Sequence, residues 1–282
     1  MALSNSIKTQ WLDHLQASIH QPPLRPRTVL RHGAQAFGSV DSLAFAEFAS
    51  GAGLADVLGY HCATGTQEAA WVMSGDLCLA LRHIAQSMRL ADYARVAYLW
   101  RDEQLAVHAA DGPRIATVER GAVRALGIST QGVHLHGVAP DHRVWIQQRA
   151  LDKQTDPGRW DTLMGGMVSV ADSLESALAR ETMEEAGLAL EQLSGLHWAG
   201  HFTMRMPTAV DSGLGYMVER IDWFEAVVPV GVAPTNQDGE VHQFKVVTTG
   251  ELRAMLLQNV FTTEASVILA SQSKRDRLGG SH

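Results

Sequence analysis

Apolar positions along the chain recur with two different periods, and the change from one to the other divides it. Residues 7 to 20 place Ile7, Trp11, Leu12, Leu15 and Ile19 on one face at helical spacing. "QPPLRPRT" ends that helix, because proline brings no amide donor and restricts the residue before it. The same spacing predicts helices over 40–58 and 76–90. From Arg95 apolar and polar residues alternate, and "RVAYLWRDEQLAVHAADGPRIATVER" reads as a short meander with turns at Arg101-Asp102-Glu103 and Asp111-Gly112. A helical turn over 120–126 stops at Gly127, which places a domain boundary near residue 125.

Beyond it, "TQGVHLHGVAPDHRVWIQQRA" predicts two strands joined at Pro140-Asp141. The turn-rich "LDKQTDPGRWDTLMGG" leads into a helix over 173–186, "LHWAGHFTMRM" and "YMVERIDWFEAVVP" read as strands, and helices follow over 251–258 and 263–272. Strands flanked by helices on this scale suggest an α/β sandwich.

Composition narrows the function classes. The 282 residues, 46% hydrophobic, suffice for a large core, and a formal net charge of -7 supplies no global positive field to attract nucleic acid or an anionic membrane. An anionic substrate therefore needs a local cation. Cys62 and Cys78 are too few for a disulfide framework and wrongly spaced for a zinc or redox pair, which points to a reducing cytoplasm. No secretory leader and no apolar run of ~20 residues is visible, so neither export nor membrane spanning is expected.

The helix over 173–186 breaks its own pattern. Asp172 with Glu175 fits a capping box and Gly187 a left-handed stop. At 100° per residue from Leu174, Ala177 falls at roughly -60°, Leu178 at +40°, Glu181 at -20°, Glu184 at -80° and Glu185 at +20°. Three glutamates thus share the apolar face, and Ala179, Met183 and Ala186 suggest packing on the other side as well. Carboxylates at this spacing repel, and near a helix C-terminus the dipole disfavours them too. Both costs vanish around a divalent cation, and an oxygen-only donor set selects Mg²⁺ or Mn²⁺. A solvated acidic face is the usual meaning of such a charge run, but the residues around this one carry a longer pattern.

Residues 166–188 resemble the Nudix box, which runs G, five residues, E, seven residues, R-E, an aliphatic, any residue, E-E, any residue, G, an aliphatic. Gly166, Arg180, Glu181, Glu184, Glu185, Gly187 and Leu188 match, while Asp172 replaces the first glutamate and Thr182 an aliphatic residue on the core side. In the family that first glutamate mainly partners the arginine, so Asp172 is expected to hold Arg180. "HAADGPRIATVERGAVRALGISTQGVHLHGV", "QQRALDKQTDPGRWDTLMGGMVS" and "NQDGEVHQFKVV" resemble a Nudix branch that carries an N-terminal domain of unassigned role. That branch is fused in some eukaryotes to thiamin pyrophosphokinase, and some of its members are linked to hydrolysis of damaged thiamin diphosphates.

The resemblance implies a Nudix α/β/α sandwich with a mixed sheet over 126–275, preceded by a smaller α+β domain over 1–125. It implies Mg²⁺- or Mn²⁺-dependent hydrolysis of a small organic diphosphate, and often a homodimer. Glu181, Glu184 and Glu185 match the metal-binding glutamates and the Gly166 carbonyl a backbone ligand. Glu181, Glu185 and Glu240 are the candidate catalytic carboxylates, Glu240 also being readable as a turn residue. Arg149, Lys153, Arg159, Gly165 and Gly166 flank the box as candidate diphosphate contacts, against the alternative of solvated loop charges.

Two rival readings remain. Isopentenyl diphosphate isomerases share the fold and a W-D before the glycine pair, here Trp160-Asp161, but need a protonating cysteine in the catalytic domain, and both cysteines precede residue 125. A non-catalytic ligand sensor is the other, which the intact R-E-x-x-E-E argues against. His134 and His136 share a strand face, more often as structural or site-lining histidines than as a metal pair. Trp160, Trp198, Phe202 and Trp223 are read as core residues before ring-stacking ones.

Overall fold

Two sheets organise the chain in the computed structural model, which describes residues 11, 13–65, 68–110, 112–208 and 212–278. The first helix expected from the sequence lies partly outside the described residues; residues 13–18 are helical.

The first sheet is built from β1 (Arg27–His32), β2 (Gln35–Asp41), β3 (Leu58–His61) and β4 (Ala70–Met73), in the order β2-β1-β4-β3 with β1 and β4 parallel. It corrects the sequence reading, which placed only helices before residue 95. The helix expected over 40–58 is the shorter α1 (Ser42–Gly51), which begins where Asp41 accepts from the Leu43 and Ala44 amides. The second, α2 (Leu77–Leu90), matches its expectation and buries Leu77, Leu81, Ile84 and Met88.

Residues 96–99 form a short helix, α3 (Val96–Leu99), instead of a strand. Trp100 holds that segment against α2: its ring lies 4.4 Å from the Arg89 guanidinium and its Nε1–H donates to Asp102 at 2.7 Å. What remains of the meander is the hairpin β5 (Gln104–His108) with β6 (Arg114–Glu119). Leu30, Phe45, Leu81, Ile84, Leu105 and Leu126 share one core.

The second sheet comprises β7 (Ser129–Val138), β8 (Val144–Arg149), β9 (Trp160–Asp161), β10 (Met164–Met167), β11 (Ser194–Pro207), β12 (Tyr216–Val227) and β13 (Val241–Val247). Its order is β11-β12-β7-β8-β13, β12 and β7 being parallel. One face, with Val133, Leu135 and Phe224, packs on Ala177 and Leu178 of α4 (Leu174–Ala186). The other, with Ile146 and Val247, packs on Leu252 and Leu256 of α5 (Thr249–Leu257) and on Ala265 and Leu269 of α6 (Thr263–Leu278). The result is the expected α/β/α sandwich with a mixed sheet, preceded by an α+β region.

The sheet is split. β7 and β8 pair only through Gly137 with Trp145 and Val138 with Val144; elsewhere β10 takes the edge of β7 and β9 the edge of β8. Side chains from both faces can meet where the strands part. Among the described residues, no helix is long and apolar enough to cross a membrane.

Candidate active site

The start of α4 differs from its sequence reading by one residue. Ser173, and not Asp172, is the N-cap: its hydroxyl accepts from the Ser176 amide at 3.1 Å, and the Ser176 hydroxyl accepts from the Ser173 amide at 2.8 Å. Asp172 is thereby left to hold Arg180, its Oδ2 accepting from Nε at 3.1 Å and Nη2 at 2.8 Å. The shorter carboxylate therefore reaches the arginine. Burial opposes ionisation of Asp172, yet the hydrogen bonds from Arg180, Ser169 and Ser176 prevail and hold it below the usual carboxylate range.

Thr182 is fully buried and donates its hydroxyl to the Leu178 carbonyl at 2.6 Å, which explains how a polar side chain fits a core position. Of the three residues expected to pack on the other side, Ala186 is buried, but Met183 is 45% exposed and Ala179 also faces solvent, so that side is packed only at the C-terminal end. Gly187, at φ 62°, ends it.

The three glutamates are each tied to a different part of the structure. Arg180 donates Nη1 to Glu181 at 2.9 Å and to Glu184 at 3.0 Å, and burial followed by the Asp172 hydrogen bond set its balance, which leaves it more firmly protonated than an ordinary arginine. Burial also raises the Glu181 carboxyl, partly offset by Arg180. Glu185 is 2% exposed, and its Oε2 accepts from Gln147 Nε2 at 2.8 Å and from the Gly165 amide at 3.1 Å. Burial outweighs those two bonds and pushes it to about 8. The glycine pair beneath is fixed from both sides, since a β-carbon at Gly165 would strike the His134 ring and one at Gly166 the Glu181 carboxyl.

These groups line a cavity of about 310 Å³ at the split in the sheet, with Gly165, Gly166, Arg149, Lys153 and Glu240. Lys153 is ion-paired to Glu240, and after the opposing effect of burial that pair holds the Glu240 carboxyl below its usual range. Arg149 lies 3.7 Å from Asp161. Arg159 is not in the lining; its guanidinium donates to the Phe261 and Asn259 carbonyls and staples the turn before α6. Of the histidines, His134 lines the cavity and bonds Thr162 at 2.9 Å, while His136 is buried outside it. Of the aromatic residues expected in the core, Trp223 is buried and Trp160 and Phe202 are half-buried, but Trp198 is 50% exposed, its Nε1–H donating to Asp222 at 3.0 Å; none of them lines the cavity.

Sequence reading missed Gln147, Asp161, Glu219 and Glu264. Glu264 on α6 is pushed to about 7, by burial first and then by Glu219. Gln147 and Asp161 lie in the stretch quoted for the family resemblance, and Asp161 in its W-D pair, but neither was read as a site residue; strand register and the docking of α6 bring all four in.

Ten carboxylates line the cavity against five lysine and arginine side chains, so the donor set is oxygen-rich and short of cations. Such chemistry fits a hard divalent ion. Among the described residues no three His, Cys, Asp or Glu side chains stand together tightly enough to hold an ion. Arg180 draws Glu181 and Glu184 aside, and Gln147 with the Gly165 amide holds Glu185 back. The expected three-glutamate cluster is thus present in one cavity but held apart by hydrogen bonds.

The family model for the NUDIX domain matches residues 133–268. This segment is thus similar to the NUDIX domain. Among curated relatives, an uncharacterized protein of Saccharomyces cerevisiae is 25% identical over 186 residues, covering 60% of this chain and 53% of its own length. Nudix hydrolase 20, chloroplastic, of Arabidopsis thaliana is 29% identical over 156 residues, covering 54% and 40%. An isopentenyl-diphosphate Delta-isomerase of Leifsonia xyli is 32% identical over 96 residues, covering 33% and 50%. The chain thus spans about half, or less, of the length of these relatives. A crystal structure of a Deinococcus radiodurans protein overlays on 60% of this chain and 98% of its own with a TM-score of 0.48 and 18% identity. The segment that resembles the Nudix box lies on α4 and the strand before it, with Arg180 at the centre of the acidic network.

Proposed function

We propose that the protein is a Mg²⁺- or Mn²⁺-dependent hydrolase that cleaves the phosphoric anhydride of a small organic diphosphate. The observation that carries this reading is the gathering of Glu181, Glu184 and Glu185 in one cavity with the Gly165-Gly166 pair and with Lys153 and Arg149. Glu181, Glu184, Glu185 and the Gly166 carbonyl are the groups that would hold the ion. When bound, the ion supplies charge neutralisation of the diphosphate and a more acidic water.

This chain's own residues do the rest. Lys153 and Arg149 orient phosphate oxygens, and Arg180 spaces the box carboxylates. Glu181, Glu185 and Glu240 are the candidate bases; burial pushes Glu185 to about 8, so it holds its proton at neutral pH until a bound cation favours the carboxylate. The small-molecule substrate, the absence of nucleic-acid and membrane partners, a cytoplasmic location, a homodimer and a domain division near residue 125 belong to the same proposal.

An isomerase is the second reading, since relatives of that name match part of the chain. It is disfavoured because Cys62 is exposed, Cys78 lies on α2, and neither lines the cavity. The deciding experiment is Mg²⁺-dependent cleavage of thiamin diphosphate and its oxidised analogues, ADP-ribose, dinucleoside polyphosphates and oxidised nucleotides, read by chromatography as the phosphomonoester, phosphate or diphosphate products, beside isopentenyl diphosphate isomerisation. Cleavage that disappears in Glu185→Gln supports hydrolysis; isomerisation without cleavage overturns it, and silence on every substrate favours a sensor.

A further inference from the structure

A larger cavity, of about 1000 Å³, lies on the opposite face of the same two strands. Side-chain alternation separates the two: Gln131 of β7 and Arg220 of β12 face this chamber, whereas His134 and Glu219 face the acidic one. The far wall comes from the N-terminal region, through Phe37 of β2 and Leu105 of β5.

The charge is reversed here. Arg114, Arg205 and Arg220 line the chamber, and Asp172, the one carboxylate among its described lining residues, is held by Arg180. Arg220 is neutralised by Asp222 at 2.8 Å, but among the described residues Arg114 has only the Val170 carbonyl at 3.3 Å and Arg205 has no side-chain partner. Two guanidinium forks thus line a chamber that also has apolar walls, in a chain of net charge -7. Arginine forks match phosphate and carboxylate groups, and a chamber of this size accommodates a small molecule.

We infer that this chamber is a second ligand site, which takes a small organic anion: a phosphate or carboxylate head held by Arg114 and Arg205, with a flat apolar body against Phe37 and Leu105. It is separate from the diphosphate site, because the strand pair stands between the two.

The probe is 1-anilinonaphthalene-8-sulfonate, an anion on an apolar ring system, titrated by fluorescence into the full chain in EDTA. N-phenyl-1-naphthylamine, the same rings without the anion, is the control. Expected are saturable one-to-one binding of the anion, weakened at least ~10-fold in Arg205→Glu, Arg205→Ala and Arg114→Glu, no such loss for the neutral control, and unchanged binding in Glu185→Gln. Both arginines are exposed, so these variants keep the fold, which circular dichroism verifies. Anion binding within twofold of the parent in every arginine variant, or binding abolished by Glu185→Gln, overturns the inference. A hydrolytically silent protein that still binds the anion through these arginines fails the proposed function alone, so the two readings fall separately.

Discussion

Glu181 rests its carboxyl against the α-carbon of Gly166, leaving no room for a β-carbon at that position. Gly166→Ala should displace Glu181 and lower metal-dependent hydrolysis by ~100-fold, as ångström-scale misplacement of a catalytic group does. Stability should fall by only about 1–3 kcal/mol. Turnover within twofold of the parent would show that the position of Glu181 is not critical.

Glu185 takes both of its hydrogen bonds on Oε2, from Gln147 and the Gly165 amide. The carbonyl of a glutamine accepts the same two bonds, so Glu185→Gln should fold normally while hydrolysis falls by ~10³-fold or more. Saturating Mg²⁺ should raise the melting temperature of the parent, because an ion bound only to the folded state stabilises it, and should do so much less in the variant. An equal Mg²⁺-induced rise in both proteins would remove Glu185 from the metal site.

Asp172 joins Arg180 to the turn before α4. Asp172→Ala should cost about 1 kcal/mol in urea unfolding, a modest value because Arg180 is about one-third exposed. It should also lower kcat more than stability alone predicts, since Arg180 is freed to close further on Glu181 and Glu184. Kinetics identical to the parent would confine Asp172 to holding the turn before α4.

Thr182→Val should leave stability unchanged or raise it by up to about 1 kcal/mol. The Leu178 carbonyl keeps its helical amide donor, and the methyl that replaces the hydroxyl is welcome in a fully buried site. A loss above about 2 kcal/mol would mean that the hydroxyl bond is required there.

His136 is buried outside the cavity, and burial lowers its pKa to about 4. The unfolded chain takes up a proton near 6.5 that the folded chain refuses. Stability contributed by neutral His136 is therefore complete above pH 6.5 and is lost as pH falls toward 4, by about 3 kcal/mol in total. Urea unfolding between pH 7 and 4 should show a shallower acid limb in His136→Leu; parallel limbs would refute the assignment.

The box was legible because its chemistry is local. Seven matching residues within one loop and helix carry glycine, arginine and glutamate at fixed spacing, and Gly187 and Leu188 close the helix as the pattern demands. The strands β7, β8, β11 and β12 were legible from alternation and turn signals, and α2, α5 and α6 from helical period. The four-stranded N-terminal sheet was not. Its strands are four to seven residues long, and its helical neighbour α1 shares their apolar texture, so period alone does not separate them. The segment before β5 was misread because Trp100 is held by Arg89 of α2, a tertiary contact that the alternation of apolar and polar residues does not register.

By itself, then, the sequence determined the helix that carries Glu181, Glu184 and Glu185, the arginine among them and the glycines that let them approach the backbone. Backbone propensity and short-range spacing suffice for those. Only the tertiary structure decided that Ser173 caps the helix and releases Asp172 to Arg180, that Arg159 turns away while Lys153 meets Glu240, and that Glu219 and Glu264 join the site. Each of these depends on which strands pair and where they part, a choice made by burial summed over the whole sheet, which no single stretch of residues encodes.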